Sequence, residues 1–124
     1  MLKFLIPTDF SETADNAFRY ALHFADRIKA ELYVLHVYEA PQIQPTLTLP
    51  YAMEEIYQRL EVEVFENFKD YIPHLKEIAA SEGKAHVPMS HIVLKGDVKV
   101  MIKETVEKEN IDIIIMGTQG AGMI

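Results

Sequence analysis

The chain has 124 residues, 49% of them hydrophobic and 25% charged, which suits one domain with a single hydrophobic core. Because the chain has no cysteine, disulfides, thiolate metal sites and cysteine nucleophiles are excluded, and a net charge of −7 without a cluster of Lys and Arg argues against nucleic acid as a partner. No apolar run reaches the roughly 20 residues of a membrane span, and the apolar start is too short for a signal peptide, so we expect a cytoplasmic protein without membrane contact.

The first two predicted elements are a buried strand and an amphipathic helix. Residues Leu2 to Ile6 form a short apolar run bounded by a proline, which is typical of a buried strand. Apolar residues then recur at spacings of three and four from Ala14 to Ile28, which predicts a helix with one inward face. Ser11 or Asp9 is suited to cap its start.

A second strand and a long helix follow. Glu31 to Tyr38 is nearly all apolar and rich in β-branched and aromatic residues, which predicts a strand covered on both faces. A proline-rich surface loop leads to a helix from Tyr51 to Ser81, whose apolar residues step by three or four. Pro73 is expected to kink or restart this helix, and Gly83 to end it.

The remaining elements complete an alternating pattern. Ser90 to Gly96 is predicted as a third strand, and the helix that follows starts at Asp97, turns Val98 inward and ends near Asn110. Ile111 to Met116 is the fourth and most apolar strand. The order β-α-β-α-β-α-β predicts an α/β fold, a doubly wound parallel sheet with helices on both faces.

The predicted strand order is 3-2-1-4, which places a reversal between strands one and four. Ligands bind such sheets at the carboxyl ends of the strands, beside the reversal. Two loops meet there, "PTDFSE" after strand one and "GTQGAG" after strand four. These are the most polar or glycine-rich strand exits, so we expect a binding site between them.

The residue types at this point allow two interpretations. Gly117, Gly120 and Gly122 match neither a P-loop nor the dinucleotide fingerprint, so a phosphate-holding loop and a tight turn without ligand are equally compatible with them. Asp9 is either a carboxylate for a ribose or base, or a helix cap, and the cap is favoured. The five His show no metal spacing, and no nucleophile with a base is evident, so neither a metal nor efficient catalysis is expected.

Four stretches resemble the universal stress protein family in order and spacing. They are "FLIPTDFSETADNAFRYA", "LYVLHVYE", the long helix, and "GDVKVMIKETVEKENIDIIIMGTQG", which together span almost the whole chain from Leu2 to Gly122. The resemblance implies a Rossmann-like fold similar to the adenine nucleotide α-hydrolases, with ATP bound at the reversal in many members and Mg only where ATP binds. It also implies a homodimer.

The resemblance also implies which residues form the nucleotide site. Asp9 and its two preceding neighbours would meet the adenine and ribose, Val37 would meet the adenine through its backbone, and two of the glycines would lie by the ribose and phosphates. The full set of implied site residues is Pro7, Thr8, Asp9, Val37, Gly96, Met116, Gly117 and Gly120.

The chain departs from the family at its end. ATP-binding members continue G-x-x-G with nine residues and then G-S or G-T, and they add a helix and a fifth strand, none of which follows Ile124. We therefore expect residues 1–124 to be one domain that is incomplete at its C-terminus, either a truncated chain or a fragment of a longer protein. Because the family often occurs as two tandem domains, the resemblance is also compatible with a second copy in the natural gene. ATP is accordingly expected to bind weakly or not at all.

Three functions are compatible with these observations. The favoured one is a nucleotide-binding regulatory module of the stress-response type, without efficient catalysis. The alternatives are a slow ATP hydrolase and an interaction module that dimerises or docks without nucleotide. The loop after strand one has no glycine, which argues against the α-hydrolases, and it lacks the Ser/Thr-rich cradle of flavin-binding folds.

Overall fold

The computed structural model describes residues 1–39 and 50–117, and the side chains of the second helix from residue 54 onward. Strands and helices alternate along the chain, as predicted. The strands are β1 (Lys3–Pro7), β2 (Glu31–Tyr38), β3 (Met89–Lys95) and β4 (Ile113–Ile114), and the helices are α1 (Glu12–Ile28), α2 (Pro50–Ser81) and α3 (Val98–Glu109).

The four strands form one parallel sheet in the order β3-β2-β1-β4, which confirms the predicted order. β1 pairs with β2 along its whole length, from Lys3 opposite Glu31 to Pro7 opposite Leu35. On its other side β1 pairs with β4. The chain therefore moves outward from β1 to β2 and β3, and then returns to the opposite side of β1, which places the reversal of strand order at β1.

Both faces of the sheet are covered, as the apolar strands predicted. Side chains alternate along each strand, so Phe4 and Ile6 face α1 and α2, whereas Leu5 faces α3. The larger core lies on the α1–α2 face and the smaller one on the α3 face. The larger core includes Phe18, Leu22, Leu32, Val34, Tyr71, Leu75 and Ile78, and the smaller one includes Leu35, Val37, Met101, Ile102 and Val106.

Side-chain caps define where α1 and α3 begin. The Ser11 hydroxyl accepts a hydrogen bond from the backbone N–H of Ala14, so Ser11 and not Asp9 is the cap of α1. The Asp97 carboxylate does the same for Val100 at the start of α3. Asn110 ends α3 in the left-handed conformation, with φ of 56°, as its position predicted.

Three local predictions were wrong. β4 has two residues rather than six, because only Ile113 and Ile114 pair with β1, opposite Phe4 and Leu5. The restart expected at Pro73 does not occur, because α2 continues through it with the buried Tyr71 and Leu75 anchoring the turns on either side, whereas the expected kink stays a prediction. Ile28 and Val98 are 39% and 41% exposed rather than inward, because each is the terminal residue of its helix.

Candidate functional site

A cavity of about 230 Å³ opens at the carboxyl end of the sheet. It lies where β1 and β2 end, between the first turns of α1 and α3 and the exit of β4, which is the reversal of strand order where ligands bind such sheets. The residues that line it are Pro7, Thr8, Asp9, Ser11, Thr13, Ala14, Leu35, Val37, Val98, Met116 and Gly117.

The cavity brings together six of the eight residues singled out in the sequence. These six are Pro7, Thr8, Asp9, Val37, Met116 and Gly117. Gly96 is not among the lining residues, and Gly120 lies outside the described residues.

The local structure explains why residue 96 is a glycine. Its φ of 150° favours glycine, a Cβ at this position would lie 3.0 Å from the Met101 side chain, and its N–H donates to the carbonyl oxygen of Tyr38 at 2.9 Å. Gly96 thereby forms the tight turn from β3 to α3. This turn places Val98, the first residue of α3, at the wall of the cavity.

The β1–α1 loop, residues Thr8 to Ser11, has a well-defined hydrogen-bond pattern. The Thr8 hydroxyl accepts from the backbone N–H of Phe10 at 3.1 Å, and the Asp9 carboxylate accepts from the N–H of Ser11 at 3.0 Å. Phe10 adopts a φ of 69°, which is rare for a bulky residue. The two side-chain contacts hold this strained turn in place, and they leave the exposed Asp9 at the rim of the cavity.

Asp9 is the charged group of the cavity wall. Its hydrogen bonds from Ser11 hold the pKa of the carboxyl group below its ordinary value, so Asp9 is ionised at neutral pH. Because Ser11 caps α1, the Asp9 carboxylate is not committed to the helix start, and the interpretation of Asp9 as the cap was wrong. The carboxylate is therefore suited to accept hydrogen bonds from a ligand's hydroxyl or amino groups.

The rest of the wall is mostly apolar. Leu35 and Val37 contribute from β2, and Val98 and Met116 face them from α3 and from the exit of β4. Leu35 and Val37 are buried, whereas Val98 and Met116 are largely exposed. An exposed apolar pair opposite a buried apolar floor is suited to a flat, weakly polar group.

Aromatic side chains support the β1–α1 loop from the α2 side of the sheet. The Phe10 ring stacks on His36 with centroids 4.1 Å apart and contacts Tyr71 at 4.8 Å. The Nδ1 atom of His36 donates to the carbonyl oxygen of Thr8 at 2.8 Å, because a carbonyl can only accept. The loop is therefore fixed from beneath as well as along its own backbone.

Sequence reasoning missed several residues of the site. Thr13 and Ala14 line the cavity because they form the first turn of α1, a position that the predicted helix start could have indicated. Val98 had been assigned to the core. Tyr71, which contacts Thr8 of the loop from 63 residues away in the chain, left no signal in the sequence.

The described residues show neither a metal centre nor a membrane span. Within residues 1–39 and 50–117, no three His, Asp or Glu side chains converge as ligands for a metal ion. None of the helices in the same ranges has the length and apolarity needed to cross a bilayer.

The fold and the position of the cavity define a Rossmann-like α/β protein with a candidate ligand site at its topological switch point. The model of the universal stress protein family matches residues 1–124, so the chain belongs to that family. Two universal stress proteins of Methanocaldococcus jannaschii are 31% and 30% identical to it over 95% of the chain. The chain spans 76% of the length of the first and 65% of the length of the second.

Solved structures agree with the fold. The universal stress protein UspA of Lactobacillus plantarum has a TM-score of 0.77 at 22% identity, over 99% of this chain and 83% of its own. An Arabidopsis thaliana family member with AMP bound has a TM-score of 0.59 at 18% identity, over 100% of this chain and 81% of its own. A universal stress protein in complex with cAMP has a TM-score of 0.62 at 15% identity, over 99% of this chain and 77% of its own.

Proposed function

We propose that this chain is a nucleotide-binding regulatory module that takes an adenine nucleotide, ATP in the first instance, without efficient catalysis. The observation that carries the proposal is the cavity at the strand-order reversal, where ionised Asp9 lies across from the apolar exit of β4. Magnesium belongs to the proposal only as a companion of bound ATP.

The chemistry of the wall fits a nucleoside. A planar base is suited to the apolar surface of Val37, Val98 and Met116, and the Asp9 carboxylate is suited to accept hydrogen bonds from ribose hydroxyls. The N-terminal turn of α1 carries a partial positive charge and contributes Thr13 to the cavity, which favours a phosphate on that side. Gly117 is proposed to let the backbone approach the ribose.

The size of the cavity points to weak binding. Its volume of about 230 Å³ is below the roughly 300–1,000 Å³ of typical small-molecule pockets. A cavity of this size is suited to a nucleoside rather than to a whole triphosphate, and we expect millimolar to high-micromolar affinity. Further hydrogen bonds from the protein to the charged phosphates would each stabilise the complex by an amount on the order of 1.5–3 kcal/mol.

Relatives support the ligand class. AMP and cAMP are each present in a structure of a universal stress protein with the same fold. At 18% and 15% identity these structures bear on this chain through the fold, and the adenine nucleoside that both ligands share is the part that the cavity could hold.

The second candidate function is an interaction module that works without nucleotide. It is favoured by apolar side chains exposed on the first half of α2, where Ile56, Val62 and Phe65 are 39%, 55% and 50% exposed. A slow ATP hydrolase is the third candidate. It differs from the first two in requiring steady release of phosphate.

Calorimetric titration with ATP, ADP and AMP, alongside a phosphate-release assay, separates the three candidates. Asp9→Ala removes the carboxylate, whereas Asp9→Asn keeps an acceptor for the Ser11 N–H and removes only the charge. Asp112→Asn is the matched control, because Asp112 accepts from Lys3 at the opposite end of the sheet.

We expect saturable binding of at least one nucleotide without turnover. Asp9→Ala should weaken it about tenfold or more, Asp9→Asn should weaken it less, and Asp112→Asn should leave it unchanged. Steady phosphate release that Asp9→Ala abolishes would replace the proposal with the hydrolase. Absence of binding to all three nucleotides would leave the interaction module.

Three further expectations stay predictions. A homodimer is proposed through the β4 edge, where Ile114 and Met116 are largely exposed, and light scattering at the mass of a monomer would contradict it. The cytoplasmic location is proposed and would be checked by cell fractionation. The continuation of the protein beyond Ile124 into a fuller domain would be checked by reading the coding region there.

A further inference from the structure

We propose that Tyr71 is a positioning residue for the candidate site: its hydroxyl, tied to Asp15, holds the Thr8 side chain and thereby fixes the β1–α1 loop. The effect on the loop stands on the geometry alone. The effect on ligand affinity rests on the proposed function.

A continuous chain of hydrogen bonds links the loop to α2. The Thr8 hydroxyl donates to the Tyr71 oxygen over a long 3.3 Å, and the Tyr71 hydroxyl donates to Oδ1 of Asp15. The second oxygen of Asp15 accepts from Nε2 of His74 at 2.8 Å. Thr8, Tyr71 and Asp15 are only 8–9% exposed, so water does not substitute readily for these partners.

The direction of these bonds gives Tyr71 its role. Burial and the hydrogen bond to Asp15 raise the pKa of Tyr71, which keeps its proton in place and directed at Asp15. The Tyr71 oxygen is then left as the acceptor for the Thr8 hydroxyl. With its proton directed at Tyr71, the Thr8 oxygen accepts from the backbone N–H of Phe10.

Phe10 is the point where this chain of bonds affects the site. Its φ of 69° is an unfavourable conformation that persists only because the surroundings hold it. Without the Tyr71 hydroxyl, the Thr8 hydroxyl has no buried acceptor, so we expect the Thr8 side chain to rotate about χ1 and move its oxygen away from the Phe10 N–H. Thr8 and Asp9, the two residues that precede Phe10, line the cavity, so the cavity changes shape with this turn.

Tyr71→Phe is the sharpest test, because it removes one oxygen atom and keeps the ring that packs on Phe10. Tyr33→Phe is the matched control: Tyr33 is half-buried on β2, and its hydroxyl donates only to Glu31 two residues away at 3.2 Å. Asp15→Asn is a second variant, which keeps an acceptor for Tyr71 but weakens the contact.

The first readout needs no ligand. In Tyr71→Phe the backbone amide signals of Asp9, Phe10 and Ser11 in nitrogen–proton NMR spectra should shift, and the Phe10 amide should exchange with solvent several-fold faster. Asp15→Asn should shift the same signals by less, and Tyr33→Phe should not move them. If Tyr71 only packs, the Phe10 amide in Tyr71→Phe will match the unmodified protein, which overturns the inference.

The second readout is the dissociation constant for AMP. If the unmodified chain binds AMP, Tyr71→Phe should raise that constant several-fold while Tyr33→Phe leaves it unchanged, and equal affinities would overturn the role of Tyr71 in the site. If the unmodified chain binds no nucleotide, the proposed function fails by itself. The amide exchange of Phe10 then still decides whether Tyr71 positions the loop.

Discussion

Gly117 and Thr13 lie in backbone contact across the mouth of the candidate site. A methyl group on the Cα of Gly117 would stand 2.5 Å from both the carbonyl oxygen and the Cγ2 atom of Thr13. No L side chain fits at that distance, so the exit of β4 touches the first turn of α1 only because residue 117 is glycine. Both residues line the cavity.

Gly117→Ala should therefore force β4 and α1 apart. Overpacking of this kind costs about 1–3 kcal/mol of the free energy of unfolding, which urea denaturation would measure. Thr13→Ala should not rescue the variant, because the carbonyl oxygen of residue 13 remains in place. Stability equal to that of the unmodified chain would show that the β4 exit adapts freely.

Gly83→Ala is the matched control for this prediction. A Cβ on Gly83 would meet nothing within 4 Å, but its φ of 70° disfavours any side chain, so the loss should come from the backbone alone, at about 1 kcal/mol. Because Gly83 follows α2 and not β4, nucleotide affinity should fall in Gly117→Ala and stay unchanged in Gly83→Ala.

The order of strands and helices could be predicted from the sequence, because each element is encoded by a local pattern of residues. Doubly covered strands, the caps Asp97 and Asn110, and the alternation of strands and helices all follow from the residues in place. The sequence was less reliable at element ends. Val98 and Ile28 continue the apolar spacing of their helices, but they are exposed because each is the terminal residue of its helix, and the spacing does not show where a helix ends.

The candidate site was predictable only in part, for a related reason. Asp9 and Gly117 are prominent in the sequence and lie where two strand exits converge, so topology alone brings them together. Tyr71 and Asp15 have ordinary positions on helix faces, and their contact with Thr8 depends on how two helices pack. Such contacts depend on tertiary geometry that no periodicity encodes.

His36→Phe should destabilise the chain without disturbing the aromatic stack. The variant keeps a ring against Phe10, whose centroid lies 4.1 Å away, but it loses the Nδ1–H that donates to the Thr8 carbonyl oxygen. Loss of one partly buried hydrogen bond costs about 0.5–1.5 kcal/mol, measurable by thermal unfolding. His36→Ala should cost more, because it also removes the stack, and equal losses in the two variants would show that the stack contributes nothing. A His36→Phe variant as stable as the unmodified chain would show that the hydrogen bond contributes nothing.

Asp26→Asn should destabilise the fold at neutral pH, and less so in acid. Asp26 accepts from Lys84 at 2.8 Å and from His86 at 2.6 Å, and these bonds lower the pKa of its carboxyl group. A lowered pKa stabilises the fold above the ordinary value of 3.8, and that stabilisation is lost as the pH falls through the folded value.

The midpoint of thermal unfolding should therefore be lower for Asp26→Asn than for the unmodified chain at pH 7 and at pH 5, and the difference should be smaller at pH 3 than at pH 5. Asp70→Asn, at an exposed position on α2, controls for the lost charge and should change little at any of these values. A difference that persists undiminished at pH 3 would contradict the assigned cause.

His91→Phe should stabilise the chain, and more so in acid. The Nε2 atom of His91 is buried without a hydrogen-bond partner in residues 1–39 and 50–117, while the ring meets Phe68 edge-on with centroids 6.1 Å apart. Burial, aided by the charge of Lys76, lowers the pKa of His91 from its ordinary 6.5. The unfolded chain therefore binds a proton at this position more readily than the folded one, so His91 reduces stability as the pH falls below about 6.5.

The phenyl ring of His91→Phe cannot bind a proton and leaves no polar atom unpaired. Urea denaturation should therefore give the variant a free energy of unfolding within about 1 kcal/mol of that of the unmodified chain at pH 8, and clearly above it at pH 5. His91→Leu should show the same pH trend without the edge-on contact, and a variant that loses stability equally at both pH values would indicate that Nε2 has a partner after all.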